Sequence, residues 1–165
     1  MWTEGIAYIV NNTKEFNDKE GHIVQGEYSI SIDLSNLEGN IGKELYNDGT
    51  HRIYVSHLEN TGRTYIIVFR SIGDYSLTSA SLVSGVHHAT INENSFTILM
   101  SAKMTANYNG EIYESSESGI SGLNYKNGDD FSFYIFPSDA YKTINEKDIV
   151  KLTVTDLYKN IWRKK

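Results

Sequence analysis

Strict alternation of apolar and polar residues restricts this chain more than any other feature. In EYSISIDL (27–34), Tyr28, Ile30, Ile32 and Leu34 fall on one side, and Ser29, Ser31 and Asp33 on the other. A period of two belongs to extended backbone. One apolar face opposed to one polar face marks an antiparallel strand half buried on a core. HRIYVSHL (51–58), RTYIIVFRS (63–71), SFTILMSAKM (95–104), DFSFYIFP (130–137) and IVKLTVTDL (149–157) are rich in β-branched and aromatic residues, which pack well on a pleated surface. YSLTSASLV and GVHHATIN predict two shorter strands. No window of a dozen residues carries a helical period, and PSDAYKTINEK (137–147) is assigned one short helical turn. The single proline, Pro137, stands where a strand ends, a position that spares the hydrogen-bond ladder.

Turn signals separate these runs: Glu20-Gly21, Asp48-Gly49, Gly62, Asn109-Gly110, Gly122 and Asn127-Gly128. Asx-Gly pairs supply the positive φ angles that tight hairpins require. Many short strands joined by short turns predict an all-β fold, an antiparallel β-sandwich of jelly-roll or immunoglobulin-like type with little or no helix, and a closed barrel as the alternative. The 165 residues suffice for a single domain spanning 1–165, which buries roughly 70% of its unfolded surface.

The same numbers exclude several functions. The chain has no cysteine, which removes disulfide frameworks, thiolate zinc sites and cysteine nucleophiles. A net charge of −6 argues against duplex nucleic acid, which calls for a clustered basic face. The terminal YKNIWRKK gathers Lys159, Arg163, Lys164 and Lys165 around Trp162. It reads as a solubilising tail, so truncation after Asn160 is expected to leave any binding unchanged. MWTEGIAYIV (1–10) lacks the basic start and long apolar run of a signal peptide, and runs such as YIIVF (65–69) fall far short of the ~20 residues that cross a bilayer. A soluble chain is expected, without membrane insertion. It would reach a virion or extracellular surface by assembly into a particle, or by a leader cleaved before this numbering begins.

Two stretches echo one another, YNDGTHRIY (46–54) and YKNGDDFSF (125–133). Each has a Tyr, an Asx-Gly pair, two polar residues and an alternating strand, and both are read as matched hairpins. The comparison extends outward, EYSISIDLS with SFTILMSAK and RTYIIVF with DIVKLTV, which delimits candidate pseudo-repeat halves at 24–86 and 92–157. The run GEYSISIDLSNLEGNIG … DGTHRIYVSHLENTGRTYIIVFRSIGDYSLTSASLVSG (26–85) also resembles the jelly-roll carbohydrate-binding modules of secreted glycosidases and phage tail proteins. In those a YxIxxx strand precedes a glycine-rich loop, a later sheet strand and a closing xxLxxG strand, the place here of SASLVSG (79–85). The resemblance implies a jelly-roll sandwich and recognition of a glycan. Such modules usually present a tryptophan on the binding face, and neither Trp2 nor Trp162 lies in the stretch.

Catalytic and metal patterns are sparse. His51 and His57 are six residues apart on one strand, about 20 Å at ~3.3 Å per residue, too far to share an ion. The adjacent His87 and His88 point to opposite faces of a strand. KNGDD (126–130) and YNDG (46–49) offer oxygens that suit calcium, but turn chemistry explains them without an ion, and no cofactor is expected. Glu111, Glu114 and Glu117 fall in a Ser/Gly-rich loop rather than on rigid elements that hold two carboxylates at a fixed spacing. There is no G-x-S-x-G, since SGISG misses it by one position, and no phosphate-cradling loop that opens a helix. The remaining resource is a surface palette of twelve tyrosines and fifteen asparagines, flat rings and directional hydrogen-bond groups of the kind a sugar or a partner protein requires. The sequence therefore predicts a non-enzymatic structural or adhesion module. Its expected setting is a phage virion (tail, baseplate or capsid-decorating protein) or a similar surface assembly, with other subunits as partners and a homo-oligomer as its state. The alternative is a carbohydrate-binding module for a cell-surface glycan. The candidate ligand residues are Tyr46, Asp48, His51, Arg52, Tyr54, Tyr125, Asn127, Asp129 and Asp130, with no catalytic or metal-binding residue.

Overall fold

The alternation in the sequence reappears as inward and outward faces of paired strands. The computed structural model describes residues 5–8, 15–92, 95–123 and 127–165. Its strands are β1 (Phe16–Asn17), β2 (His22–Ile23), β3 (Glu27–Asp33), β4 (Glu44–Asn47), β5 (Arg52–Asn60), β6 (Tyr65–Ile72), β7 (Asp74–Tyr75), β8 (Ser79–Ser84), β9 (Val86–Asn92), β10 (Ser95–Met100), β11 (Lys103–Tyr108), β12 (Glu111–Glu114), β13 (Ser116–Ile120), β14 (Gly128–Tyr134), β15 (Ile149–Thr155) and β16 (Tyr158–Lys164). A 3₁₀ turn at Tyr141–Thr143 fills the place predicted for one helical turn. No helix among the described residues is long and apolar enough to cross a membrane.

The fold is an all-β antiparallel sandwich. A five-stranded sheet, β13-β14-β6-β5-β4, and a four-stranded sheet, β12-β11-β15-β3, enclose the main core between them. The first supplies Ile53, Val55, Ile67, Phe69, Phe131 and Phe133, and the second Ile30, Ile32, Met104, Val150, Leu152 and Val154. These side chains alternate with outward residues along each strand, as the period of two requires. Phe69 and Phe131 stack across the β6–β14 pair with ring centroids 5.3 Å apart. The β11–β12 turn is the tight hairpin that Asn109-Gly110 predicts, with positive φ of 52° and 83°, the I′ pattern that matches strand twist.

A third sheet flanks the sandwich. In it β16 pairs with β8 on one side and with β1 and β2 on the other, and β7 borders β8. One face of this sheet covers a second, smaller core of Ile6, Phe16, Ala80, Leu82, Leu123 and Trp162. β9 and β10 form a separate hairpin. The strands matched in the pseudo-repeat take different positions. β3 edges the four-stranded sheet while β10 lies in that hairpin, and β6 and β15 belong to opposite layers.

Four readings of the sequence need correction. YKNIWRKK is not a tail but β16, a strand paired on both sides, with Trp162 fully buried. Its alternation puts Asn160 and Trp162 on one face and Lys159 and Arg163 on the other, and Lys164 and Lys165 stand at its exposed end, so the charge belongs to a strand and its terminus. GEIYESSESG is not a loop but the edge strands β12 and β13. SFTILMSAKM breaks into two strands, because Ser101 and Ala102 both donate their N–H groups to the Gly85 carbonyl, at 2.8 and 3.0 Å. Both echoes fall at hairpins, β4–β5 and β13–β14, but the two are not matched. Asn127-Gly128 enters the β6–β14 ladder, where the Asn127 carbonyl accepts from Gly73 N–H at 2.7 Å and Gly128 pairs with Ile72. A Cβ on Gly128 would lie 1.6 Å from the Ser71 carbonyl oxygen, so this glycine serves close backbone approach rather than a turn.

Removal of the residues after Asn160 takes Trp162 out of the second core, and that truncated chain is expected not to fold. Trp162→Ala in the full chain is expected to cost about 3–5 kcal/mol and to lower Tm by about 10 °C in a thermal melt. A melt unchanged by either alteration contradicts the placement of β16.

Candidate functional site

The β4–β5 hairpin turns at Asp48-Gly49, with Gly49 at φ 91°. The Asp48 carboxylate caps that turn from within. Its Oδ1 accepts the backbone N–H groups of Thr50 and His51 at 2.9 and 2.7 Å, and its Oδ2 accepts the Tyr46 hydroxyl at 3.0 Å. The same Oδ2 lies 2.8 Å from His51 Nδ1. With both oxygens engaged twice, an ionised carboxylate has its lone pairs filled by the protein itself. Burial alone would raise the pKa of Asp48, but the backbone and ring bonds from His51, then those from Thr50 and Tyr46, hold it well below the usual carboxylate range. Desolvation first, and the bond to Asp48 second, push the Tyr46 hydroxyl up to about 12. His51 is buried, and its other ring nitrogen, Nε2, lies 2.7 Å from Ser81 Oγ on β8. One imidazole thus joins the turn of the five-stranded sheet to the third sheet.

Beyond this turn, the outer face of the five-stranded sheet carries a polar row. Register places Tyr54 of β5, Arg70 of β6 and Asp130 of β14 side by side, with Glu44 of β4 next to Tyr54. Arg70 Nε and Asp130 Oδ1 pair at 3.0 Å, and Arg52 Nε and Glu44 Oε2 at 2.5 Å. The Arg52 guanidinium also lies 4.4 Å from the centroid of the Tyr54 ring, a cation–π contact. The structure therefore brings Arg52, Tyr54 and Asp130 together on one face, though the two stretches that supply them are far apart in sequence. Arg70 and Glu44 complete the group. Neither was picked out from the sequence, although Arg70 shares the outward parity of β6.

Asn127 and Asp129, of the other predicted site residues, lie elsewhere. Tyr125 is outside the described residues. Asn127 contributes its backbone carbonyl to the ladder, as above. Asp129 points the opposite way from Asp130 and is fully buried, so it cannot face a ligand at the surface. Its Oδ2 meets His88 Nε2 at 2.5 Å, Ser84 Oγ reaches Oδ1 and Oδ2 at 2.7 and 2.9 Å, and Ser71 Oγ also donates to Oδ1. Both serine hydroxyls donate to this carboxyl group, and His88 Nε2 closes on the oxygen that Ser84 also reaches. Around this group, Asn160 accepts His88 N–H at 2.9 Å and donates to the carbonyls of Val86 and Leu82 at 2.9 and 3.3 Å. The sequence held a signal for this inward placement, since Asp129 has the parity of Phe131 and Phe133.

The remaining histidines separate as predicted. His87 stacks on Tyr158 with centroids 3.9 Å apart, and burial lowers its pKa, while His88 faces inward. Among the described residues, no three His, Cys, Asp or Glu side chains form a group able to hold a metal ion.

Asp129→Ala strips three side chains of their shared acceptor in a dry interior. It is expected to destabilise the chain by about 3–5 kcal/mol in urea unfolding, and a loss below about 1 kcal/mol contradicts the network. Asp48 gives a test in pH. A depressed folded pKa means stability that is present above the unfolded value of about 3.9 and lost as pH falls through the folded one. The urea midpoint of the wild type is therefore expected to fall more steeply below pH ~4 than that of Asp48→Asn, so that the gap between them narrows. A gap that stays constant from pH 7 down to 2 contradicts the assignment.

Comparison with protein-family models, with curated proteins and with solved structures found no match to this chain.

Proposed function

We propose that this chain is a recognition and adhesion module, and that it binds a polar ligand, a cell-surface glycan in the first instance, on the outer face of its five-stranded sheet. The observation that carries this reading is the convergence of Arg52, Tyr54, Arg70, Asp130 and Glu44 on adjacent strands of one rigid sheet. A sugar offers hydroxyls that pair well with guanidinium and carboxylate groups held in fixed geometry, and a C–H face that packs on an aromatic ring. The ion pairs tether the long arginine side chains in advance, which lowers the entropy lost when a ligand binds. Glu44 and Arg52 keep side-chain exposures of 43% and 42%, enough to meet a ligand without unfolding the turn.

The setting that fits best is a phage virion (tail, baseplate or capsid-decorating protein) or a similar surface assembly, where such a module works as one of several copies. Support comes from the sheet edges. β12 and β3, and β13 and β4, end their sheets, and Ile112 on β12 is 65% exposed. Edges of this kind are where neighbouring subunits pair or pack.

A glycan-array screen of the full chain tests the reading, followed by titration of the best binder. Tyr54→Ala and Arg52→Ala are each expected to weaken that binder about tenfold or more, the scale of a residue worth over 1 kcal/mol in an interface, with Tm nearly unchanged. An array without binders, or affinity indifferent to both substitutions, overturns it.

A further inference from the structure

We infer that Ser81 is a base-activated nucleophile able to cleave small oxygen esters, with His51 as its base and Asp48 as the residue that orients the base. The site lies off the outer face described above, and the inference does not depend on the reading of that face.

The geometry is a chain of contacts in one order: Asp48 Oδ2 to His51 Nδ1 at 2.8 Å, then His51 Nε2 to Ser81 Oγ at 2.7 Å. A nucleophile within hydrogen-bond reach of a base, itself held by a third group, is the arrangement that activates a serine hydroxyl. Asp48 is locked by three further donors and ionised, so it accepts the Nδ1 proton. That fixes the tautomer in which Nε2 carries a lone pair facing Ser81.

The molecule contains its own control. Asp129, His88, Ser71 and Ser84 are the same residue types, but there both serines donate to the carboxylate and the whole group is sealed from solvent. That arrangement can only be structural. In the other group the serine meets the imidazole instead, and it is half-buried at the wall of a cleft of about 180 Å³. At about 30 Å³ per water, that is room for a short acyl group.

The cleft has charges suited to a developing oxyanion. Ser81 pairs with Ile161, so Lys159 and Arg163 flank it on the same face of β16, and both line the cleft. Arg163 is also paired with Glu20, and Asp74 stands opposite Ser81 on β7. A neutral or anionic acyl group therefore seats on the β16 side. In the reaction, Ser81 Oγ bonds to the ester carbonyl carbon as its proton passes to His51 Nε2. The carbon–alkoxy bond then breaks, and the alcohol leaves with that proton. Water attacks the acyl-serine in the same way, giving the carboxylic acid and restoring Ser81.

The test uses the full chain with p-nitrophenyl acetate and a fluorophosphonate probe, read by nitrophenol release and by mass spectrometry of the adduct. Fluorophosphonate forms a P–O bond to serine and expels fluoride. The expected result is one adduct per chain on Ser81, none in Ser81→Ala, and labelling slowed at least about 100-fold in His51→Gln. Should His51→Gln fail to fold, Ser81→Cys supplies the check, since it places a single thiol in a chain that otherwise has none. Beside His51 that thiol is expected to react with iodoacetamide at least about tenfold faster than an unperturbed cysteine. Absence of an adduct, an adduct on another residue, a folded His51→Gln that labels at the wild-type rate, or an ordinary thiol rate in Ser81→Cys overturns the inference.

Discussion

The buried Asp129 carboxylate is the constraint on which the packing of this molecule depends. It belongs to β14, and its partners come from β6, β8 and β9. It therefore joins the five-stranded sheet to the third sheet and to the β9–β10 hairpin at one point. Apolar packing is tolerant of small slides, whereas a polar group taken out of water accepts only the geometry that satisfies it. Members of both hydrophobic clusters stand near this group, Trp162 with its ring centroid 6.2 Å from that of His88 and Phe131 two residues along β14 from Asp129. Asn160 continues the same logic into β16 by joining Leu82, Val86 and His88.

The same three residue types serve two purposes here, and the difference lies in the order of contacts and in access to water. Around Asp129 every donor converges on the carboxylate, which leaves no activated hydroxyl. Around Asp48 the carboxylate is consumed by its own turn and by one imidazole nitrogen, and the second nitrogen is left to a serine at a cleft. That turn also begins the strand which carries Arg52 and Tyr54 outward. One hairpin thus carries the outward polar row on one side and, on the other, the Asp48–His51 pair that meets Ser81 of β8.

Much of the fold was legible in the sequence because alternation encodes burial directly. β3, β5, β6, β14 and β15 fall where the pattern places them, and Asn109-Gly110 makes its predicted hairpin. The errors share a cause, which is that local signals do not report pairing. β16 was obscured because its outward face is basic. β12 and β13 were obscured because these short edge strands set few apolar side chains against the core, Tyr113 and Ile120 among them, and so show little alternation. Asn127-Gly128 has turn chemistry, but a neighbouring backbone claims its glycine. In the site, Arg52, Tyr54 and Asp130 were legible as outward polar residues. Asp129 was misplaced by one step of parity, which moves a side chain from the surface to the core. Ser81, Ser84 and Arg70 could not be tied to their partners, since sequence separations of 30, 45 and 60 residues are closed only by the sheets.

Native-state hydrogen exchange tests the central claim, that the buried carboxylate binds the sheets into one cooperative unit. The N–H groups of His88 and Asn160 are expected to exchange with the same opening free energy as those of Val150 and Leu152 in the four-stranded sheet, that is, only through global unfolding. Exchange of His88 and Asn160 at a distinctly lower free energy, with Val150 and Leu152 still protected, would mean that the third sheet opens by itself and that Asp129 does not hold the layers together.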